Sequence, residues 1–379
     1  MTGDQVLDAA RALAPTIAAR AADVEAARRV PGDLLDALVA AGCFRMLLPR
    51  SHGGAGADLP SALRLYETLA GADASVAWTV MIGGSAWVDL TELPRTTFDG
   101  LFAGDDVIVA GAFAPSGSIT PDAGGYRVTG RWGFASGCEH ATVLYGNCIE
   151  SGADGGGPPM RMALFDPDQV EIEDTWTVSG LRGTGSHHIR VADLRVTADR
   201  TWRPLGDEPC LDEPVVRVPV PSLIALMVAG IGLGVAQAAL DDAVGLAGRR
   251  VPLLADAPLA ADALFQADLA TADTELCAAR ALLNESAASL WATAVSGGPL
   301  GMPQRARTRA AAAWVVRRAV AVVETAYRSG GGSAIYTTCP LERRLRDIHT
   351  LQQHFIVRPN TMTTAGAVLL GRDVDVLLF

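Results

Sequence analysis

The sequence predicts an α+β protein, mainly helical, in three successive parts. These are an N-terminal helical domain over residues 1–105, a central antiparallel β domain over 106–216, and a C-terminal four-helix bundle over 217–379. Three observations carry this reading. Apolar residues recur at helical spacing on both flanks of the chain. Between the flanks lie short β-branched or aromatic runs separated by Gly, Pro and Asp. With 379 residues, 49% of them hydrophobic and 19% charged, the chain can bury a large core.

In order along the chain, Asp4–Glu25 and Gly32–Ala41 carry alanine and leucine at helical intervals, punctuated by Pro31 and Gly42. Gly53, Gly54 and Gly56 then make a turn, a new helix starts near Pro60, and an apolar helix opens at Val76-Ala77-Trp78-Thr79. From about Asp106 the runs VIVAGAFAPSG, GGYRVTGRWGFASG, ATVLYGNCI, MRMALFD and HHIRVADLRV read as strands. Gly152–Pro159 reads as a mobile surface loop. The bundle helices are expected at Leu223–Arg249, Ala260–Val295, Pro303–Ser329 and Leu341–Gln353, with Gly330-Gly331-Gly332 ending the third.

Composition excludes several functions. The formal net charge is −11, so no basic footprint for nucleic acid or an anionic membrane is present. The chain has no lysine, which removes a Schiff-base lysine and a P-loop GK[ST]. Six cysteines lie far apart without a CxxC pair, as in a reduced cytoplasmic protein with no zinc site. The N-terminus has no basic-then-apolar signal pattern. Val218–Leu240 is uncharged and long enough to span a bilayer, but Pro219, Pro221 and Gln237 within it favour a buried bundle helix. Gly230, Gly232 and Gly234 in that helix do not have the GxGxxG spacing, and they read as points of close helix approach.

Two histidines stand out near the C-terminus. Leu341, Leu345, Ile348, Leu351 and Phe355 form one apolar helix face, and His349 and His354 fall on its opposite flanks. Either they are surface-edge residues, or one borders a pocket with a pKa near working pH. In GLRGTGSHHIRV, Gly180, Gly183 and Gly185 permit a tight loop, and Arg182, Thr184 and Ser186 put donors on it. That loop is a plain hairpin or a cover over a cofactor. In GRWGFASG, Trp132 and Phe134 are expected on one face of a strand that ends at Ser136.

Four segments, LLPRSHGGAGADL, VTGRWGFASG, GLRGTGSHHIRVADLRV and YRSGGGSAIYTTCPLERRLRD, together resemble the acyl-CoA dehydrogenase superfamily over nearly the whole chain. Within it, FASG, GLRGTGSH and the late Gln-His are similar to the two-component flavin-dependent monooxygenases (group D hydroxylases). The resemblance implies reduced FMN or FAD supplied by diffusion from a separate flavin reductase, reaction with O₂, and hydroxylation through a C4a-hydroperoxyflavin. It also implies a homotetramer. The substrate would be a small aromatic or amine-bearing metabolite.

The carboxylates that serve a dehydrogenase as base are missing. The place after Arg346-Asp347 is held by His354 and Phe355, and no carboxylate lies between Glu213 and Asp241. By resemblance, His354 is the base, with His349 a second candidate, and Ser136 acts near flavin N5. Trp78 and His52 line the substrate side. Phe113, Pro115, Ser116, Ser118, Trp132 and Phe134 face the flavin ring, with Arg182, Thr184 and Ser186 on the covering loop. Arg249 or Arg250, with Gly331 and Gly332, meets the flavin phosphates of a neighbouring subunit. A flavin oxidase or dehydrogenase, or an N- or S-oxygenase, is the alternative on the same scaffold.

Overall fold

The computed structural model describes every residue except 105, 152–159, 205, 207 and 375–379. The loop expected at Gly152–Pro159 therefore lies outside the described residues. The first helices are α1 (Gly3–Ala19), α2 (Ala21–Ala27), α3 (Gly32–Ala40), α4 (Leu59–Ala72), α5 (Ala74–Ser85), α6 (Trp87–Leu90) and α7 (Arg95–Leu101). The single helix expected over Asp4–Glu25 is broken at Arg20, whose guanidinium binds Asp23 and Asp33 beside the break. Asp58 and Asp73 cap α4 and α5 by accepting from Ser61 N and Val76 N, which fixes where each helix starts.

Seven strands follow: β1 (Val109–Asp122), β2 (Gly125–Trp132), β3 (Val143–Glu150), β4 (Met160–Phe165), β5 (Glu171–Glu173), β6 (His188–Thr197) and β7 (Thr201–Trp202). They form one sheet in the order β5-β6-β2-β1-β3-β4-β7. Most ladders are antiparallel as expected, but β1 and β3 run parallel. The β1–β2 hairpin reverses the chain once, and residues 133–142 then carry it back to the other side of β1. Parallel neighbours require such a crossover, and this one carries site residues.

The remaining helices are α8 (Val220–Ala247), α9 (Ala263–Val295), α10 (Met302–Gly330), α11 (Pro340–Leu351) and α12 (Asn360–Leu369). Helix α12 has no counterpart among the helices expected from the sequence. Helix α8 is the axis of the bundle, with nearly every residue from Ser222 to Leu240 buried within this chain. Its apolar length is thus taken up by α4, α9, α10 and α11 of the same chain. Gly234 lets α4 come close: a Cβ there would lie 2.2 Å from the Glu67 carbonyl oxygen. Helices from both ends of the chain share one apolar cluster, whereas the sheet has its own around Trp132 and Phe165.

Candidate active site

The crossover after β2 separates two aromatics expected on one face. Trp132 is fully buried in the sheet core, where Gly117, Gly130 and Gly146 leave room for its indole and Nε1 donates to Asn147 O at 2.6 Å. It has no surface to offer a cofactor, which corrects the expectation from the sequence. β2 ends at Trp132, and Phe134 takes φ 64°, which turns its ring outward to 74% exposure. Trp176 stands beside it, ring centroids 6.2 Å apart and nearly perpendicular.

In the same sheet β1 bulges. Its ladder with β3 jumps between Ala112 and Gly117, leaving Phe113–Ser116 looped out. Buried Asn147 donates to Phe113 O at 2.8 Å and holds the bulge, and Pro115 and Ser116 are exposed on it. Ser118 lies beyond the bulge, and its hydroxyl donates across the ladder to Thr129 O.

Behind Phe134 a line of buried hydroxyls begins at α5. Trp78 Nε1 donates to Ser136 Oγ at 3.0 Å, Ser136 Oγ lies 2.7 Å from Ser186 Oγ, and Ser186 Oγ lies 2.7 Å from Thr184 Oγ1. Thr184 Oγ1 donates to Leu181 O at 2.9 Å. All four side chains are less than a tenth exposed. The glycine loop is thus packed inward through Thr184 and Ser186, and Arg182 turns away toward Glu25 at 3.7 Å.

The loop is fixed to two helices. Leu181, in the left-handed region at φ 51°, donates its N–H to Asp347 Oδ1 at 2.7 Å, and Gly183 N donates to Ser75 Oγ at 3.2 Å. Gly180 is pressed onto α11 so tightly that a Cβ would meet Arg346 O at 2.1 Å. Burial, with Asp73 nearby, pushes the Asp347 carboxyl up to about 7.

His354 is not on the expected helix. α11 stops at Leu351, because the chain turns inward to bury Ile356 and Val357 and leaves Phe355 39% exposed. His354 caps the following 3₁₀ turn, with Ile356 N donating to Nδ1 at 3.4 Å, and its ring meets Trp78 edge-on. Burial, helped by the cations Arg358 and Arg309, lowers its pKa to about 4. The imidazole is therefore neutral at physiological pH.

The other two candidate histidines lie elsewhere. His349 is on the outer side of α11, its ring nitrogens held by Gln352 at 2.7 Å and Glu324 at 3.3 Å. His52 bonds Asp99 at 2.9 Å and Ser51 at 3.0 Å. It lines a cavity of about 350 Å³ with Arg45, Arg95 and Phe102, which neither Trp78, Ser136 nor His354 reaches. Both expectations of a place beside the substrate are corrected by this geometry.

At the far end of the bundle, Arg250 does meet the glycines. Its guanidinium lies over Gly331, where a Cβ would be 2.3 Å from Nη2, and Nη1 donates to Ser329 O. Gly332 is exposed beside it, and Arg249 is exposed with Nε on Gly245 O. Arg250 lines a cavity of about 440 Å³ together with Leu240, Phe265, Asp268, Thr325 and Arg328. Among the described residues no group of three or more His, Cys, Asp or Glu could hold a metal ion.

Sequence reasoning missed Trp176, Ser75, Asn147 and the loop-holding role of Asp347. Trp176 had a signal, an aromatic in a polar loop just before GLRG. Asp347 stood out only as a landmark, and nothing local tells that it reaches the loop 166 positions away in sequence.

Comparison with known proteins gives the family. The acyl-CoA dehydrogenase N-terminal domain matches residues 3–91, and the C-terminal domain of the same family matches residues 226–359. Indole-3-acetate monooxygenase of Pseudomonas putida is 32% identical over 361 residues, covering 94% of this chain and 91% of that protein. The flavin-dependent monooxygenase oxygenase subunit HsaA of Rhodococcus jostii is 30% identical, covering 90% and 92%. The crystal structure of 3-HSA hydroxylase from Rhodococcus sp. RHA1 superposes with a TM-score of 0.92 at 28% identity, covering 99% of both chains. The chain belongs to the acyl-CoA dehydrogenase family, on its flavin-dependent monooxygenase branch.

Proposed function

We propose that the protein is the oxygenase component of a two-component system, which takes reduced FMN or FAD and O₂ and hydroxylates a small aromatic metabolite. The observation that carries this reading is the neutral His354 against Trp78, whose indole N–H reaches Ser136. Where a dehydrogenase needs an anionic base, the charged groups felt by His354 are cations. The names of two relatives, an indole-3-acetate monooxygenase and an FADH2-dependent resorcinol hydroxylase oxygenase component, support it.

The residues fit a flavin. Phe134 and Trp176 offer an apolar face for a tricyclic ring, and the β1 bulge leaves Pro115 and Ser116 exposed. Arg250 over Gly331, in a cavity with Arg328, suits the phosphate end of a flavin held by a neighbouring protomer. Bound there, reduced flavin supplies the electrons with which O₂ is divided between substrate and water.

The protein's own part is to orient and to handle protons. Buried Trp78 and Ser136 keep the reacting region dry and hold its hydrogen bonds. His354 can accept a phenolic, indole or amine proton, and Arg358 and Arg309 favour the anion left behind. In the free protein Nδ1 is an acceptor for Ile356 N, so the proton sits on Nε2. Accepting a substrate proton at Nε2 requires the other tautomer, with the ring proton moved to Nδ1, and that shift gives up only the long 3.4 Å contact with Ile356 N.

We place the enzyme in the cytoplasm as a homotetramer served by a diffusing flavin. Its six cysteines are unpaired, and Leu253, Leu254 and Leu264 expose apolar surface near the Arg250 cavity. Anaerobic titration with reduced FMN and FAD, followed by mixing with O₂ and a panel of phenols and indoles, tests the reading. Oxygenated product is expected. Reduction of tightly held oxidised flavin by an acyl-CoA would overturn it.

A further inference from the structure

We propose that the buried hydroxyls between Trp78 and Leu181 form a one-way hydrogen-bond chain that leaves Ser136 only as an acceptor, so that Thr184 and Ser186 are positioning residues that select reduced over oxidised flavin. The inference rests on the reading above that Ser136 meets the flavin N5 edge.

The direction follows from counting protons. Trp78 Nε1 at one end carries a hydrogen and cannot accept, and Leu181 O at the other can only accept. Thr184 must give its proton to Leu181 O, since otherwise two oxygens would face each other at 2.9 Å without a hydrogen. Ser186 must then donate to Thr184, and Ser136 to Ser186, across the two 2.7 Å contacts. The last bond, from Trp78 to Ser136, completes the chain. Every proton is used once, and Ser136 is left with a lone pair and no hydrogen to offer.

The acceptor end cannot drift. Leu181 O also takes the Trp176 Nε1 proton at 3.1 Å, and Leu181 N is tied to Asp347. Reversing the chain would take the Thr184 donor from the Leu181 carbonyl and leave those two oxygens facing each other at 2.9 Å with no hydrogen between them. Reduced flavin presents N5–H, a donor that suits the free lone pair. Oxidised flavin presents a bare N5, an acceptor that meets another acceptor. One buried hydrogen bond correctly or wrongly directed is worth about tenfold in affinity.

The test measures dissociation constants for reduced and oxidised FMN and FAD, the reduced forms under anaerobic conditions, in wild type, Thr184→Val, Thr184→Ser and Ser186→Ala. Valine keeps the shape of threonine but ends the chain at Ser186, whose proton can then turn to Ser136 and free the Ser136 proton for a bare N5. The expected result is a preference for reduced flavin in wild type and in Thr184→Ser. In Thr184→Val and Ser186→Ala that preference narrows by about tenfold, chiefly through tighter binding of oxidised flavin. Thermal unfolding of each variant checks that it is folded, and the two disrupting variants stand in for each other. If wild type discriminates and the disrupting variants keep the same ratio, or weaken both flavins alike, the inference is overturned and the proposed function stands. If wild type binds both redox forms equally, the inference is overturned, and the proposed function is decided separately by whether oxygenated product forms.

Discussion

The imidazole of His354 lies edge-on to the indole of Trp78, ring centroids 5.3 Å apart and planes at 71°, while the same indole donates its N–H to Ser136. One side chain therefore joins His354 to the hydroxyls. Trp78→Phe keeps an aromatic edge for His354 but removes the donor. We expect folding to survive at a cost of about 1 kcal/mol. Product formed per flavin oxidised should fall several-fold, with hydrogen peroxide rising in its place. An unchanged product-to-peroxide ratio would remove Trp78 from this role.

His354→Ala should leave flavin binding nearly intact and slow oxygen transfer by ~10²-fold or more, the scale of a lost general base. Peroxide should then replace product. His349→Ala is the control, since His349 is held by Glu324 and Gln352 on the outer side of α11. Normal coupling in the His354 variant with uncoupling in the His349 variant would reverse the assignment.

Two buried groups should give the stability opposite dependences on pH. His354 titrates near 4 when folded against an ordinary 6.5, so between these values the unfolded chain binds more protons and stability falls as pH falls. Asp347 titrates near 7 when folded against 3.8, so the folded chain binds more protons there and stability falls as pH rises toward 7. Asp347→Asn keeps an acceptor for Leu181 N but cannot ionise. Its melting temperature should gain on wild type as pH is raised from 5 to 8, by an amount equivalent to at most ~3 kcal/mol. A gap that is constant across this range would show that Asp347 carries no such strain.

Local sequence pattern by itself determined much of this protein. Helical spacing located the bundle helices to within a few residues, because a buried face repeats every turn whatever it packs against. The glycines of α8 announced a close approach, and α4 provides it at Gly234. The missing carboxylates were visible as an absence only through the family resemblance, which says where a dehydrogenase carries its base. What tertiary structure alone decided is which side chains meet. Strand alternation put Trp132 and Phe134 together, yet the parallel β1–β3 pairing ends β2 between them, burying one and exposing the other. Helix periodicity carried His354 along the α11 stripe, yet burial of Ile356 and Val357 turns the chain and brings the imidazole to Trp78. The hydroxyl chain joins residues from α5, the crossover and the glycine loop. Its direction depends on an N–H at one end and a carbonyl at the other, which no local stretch of sequence holds together.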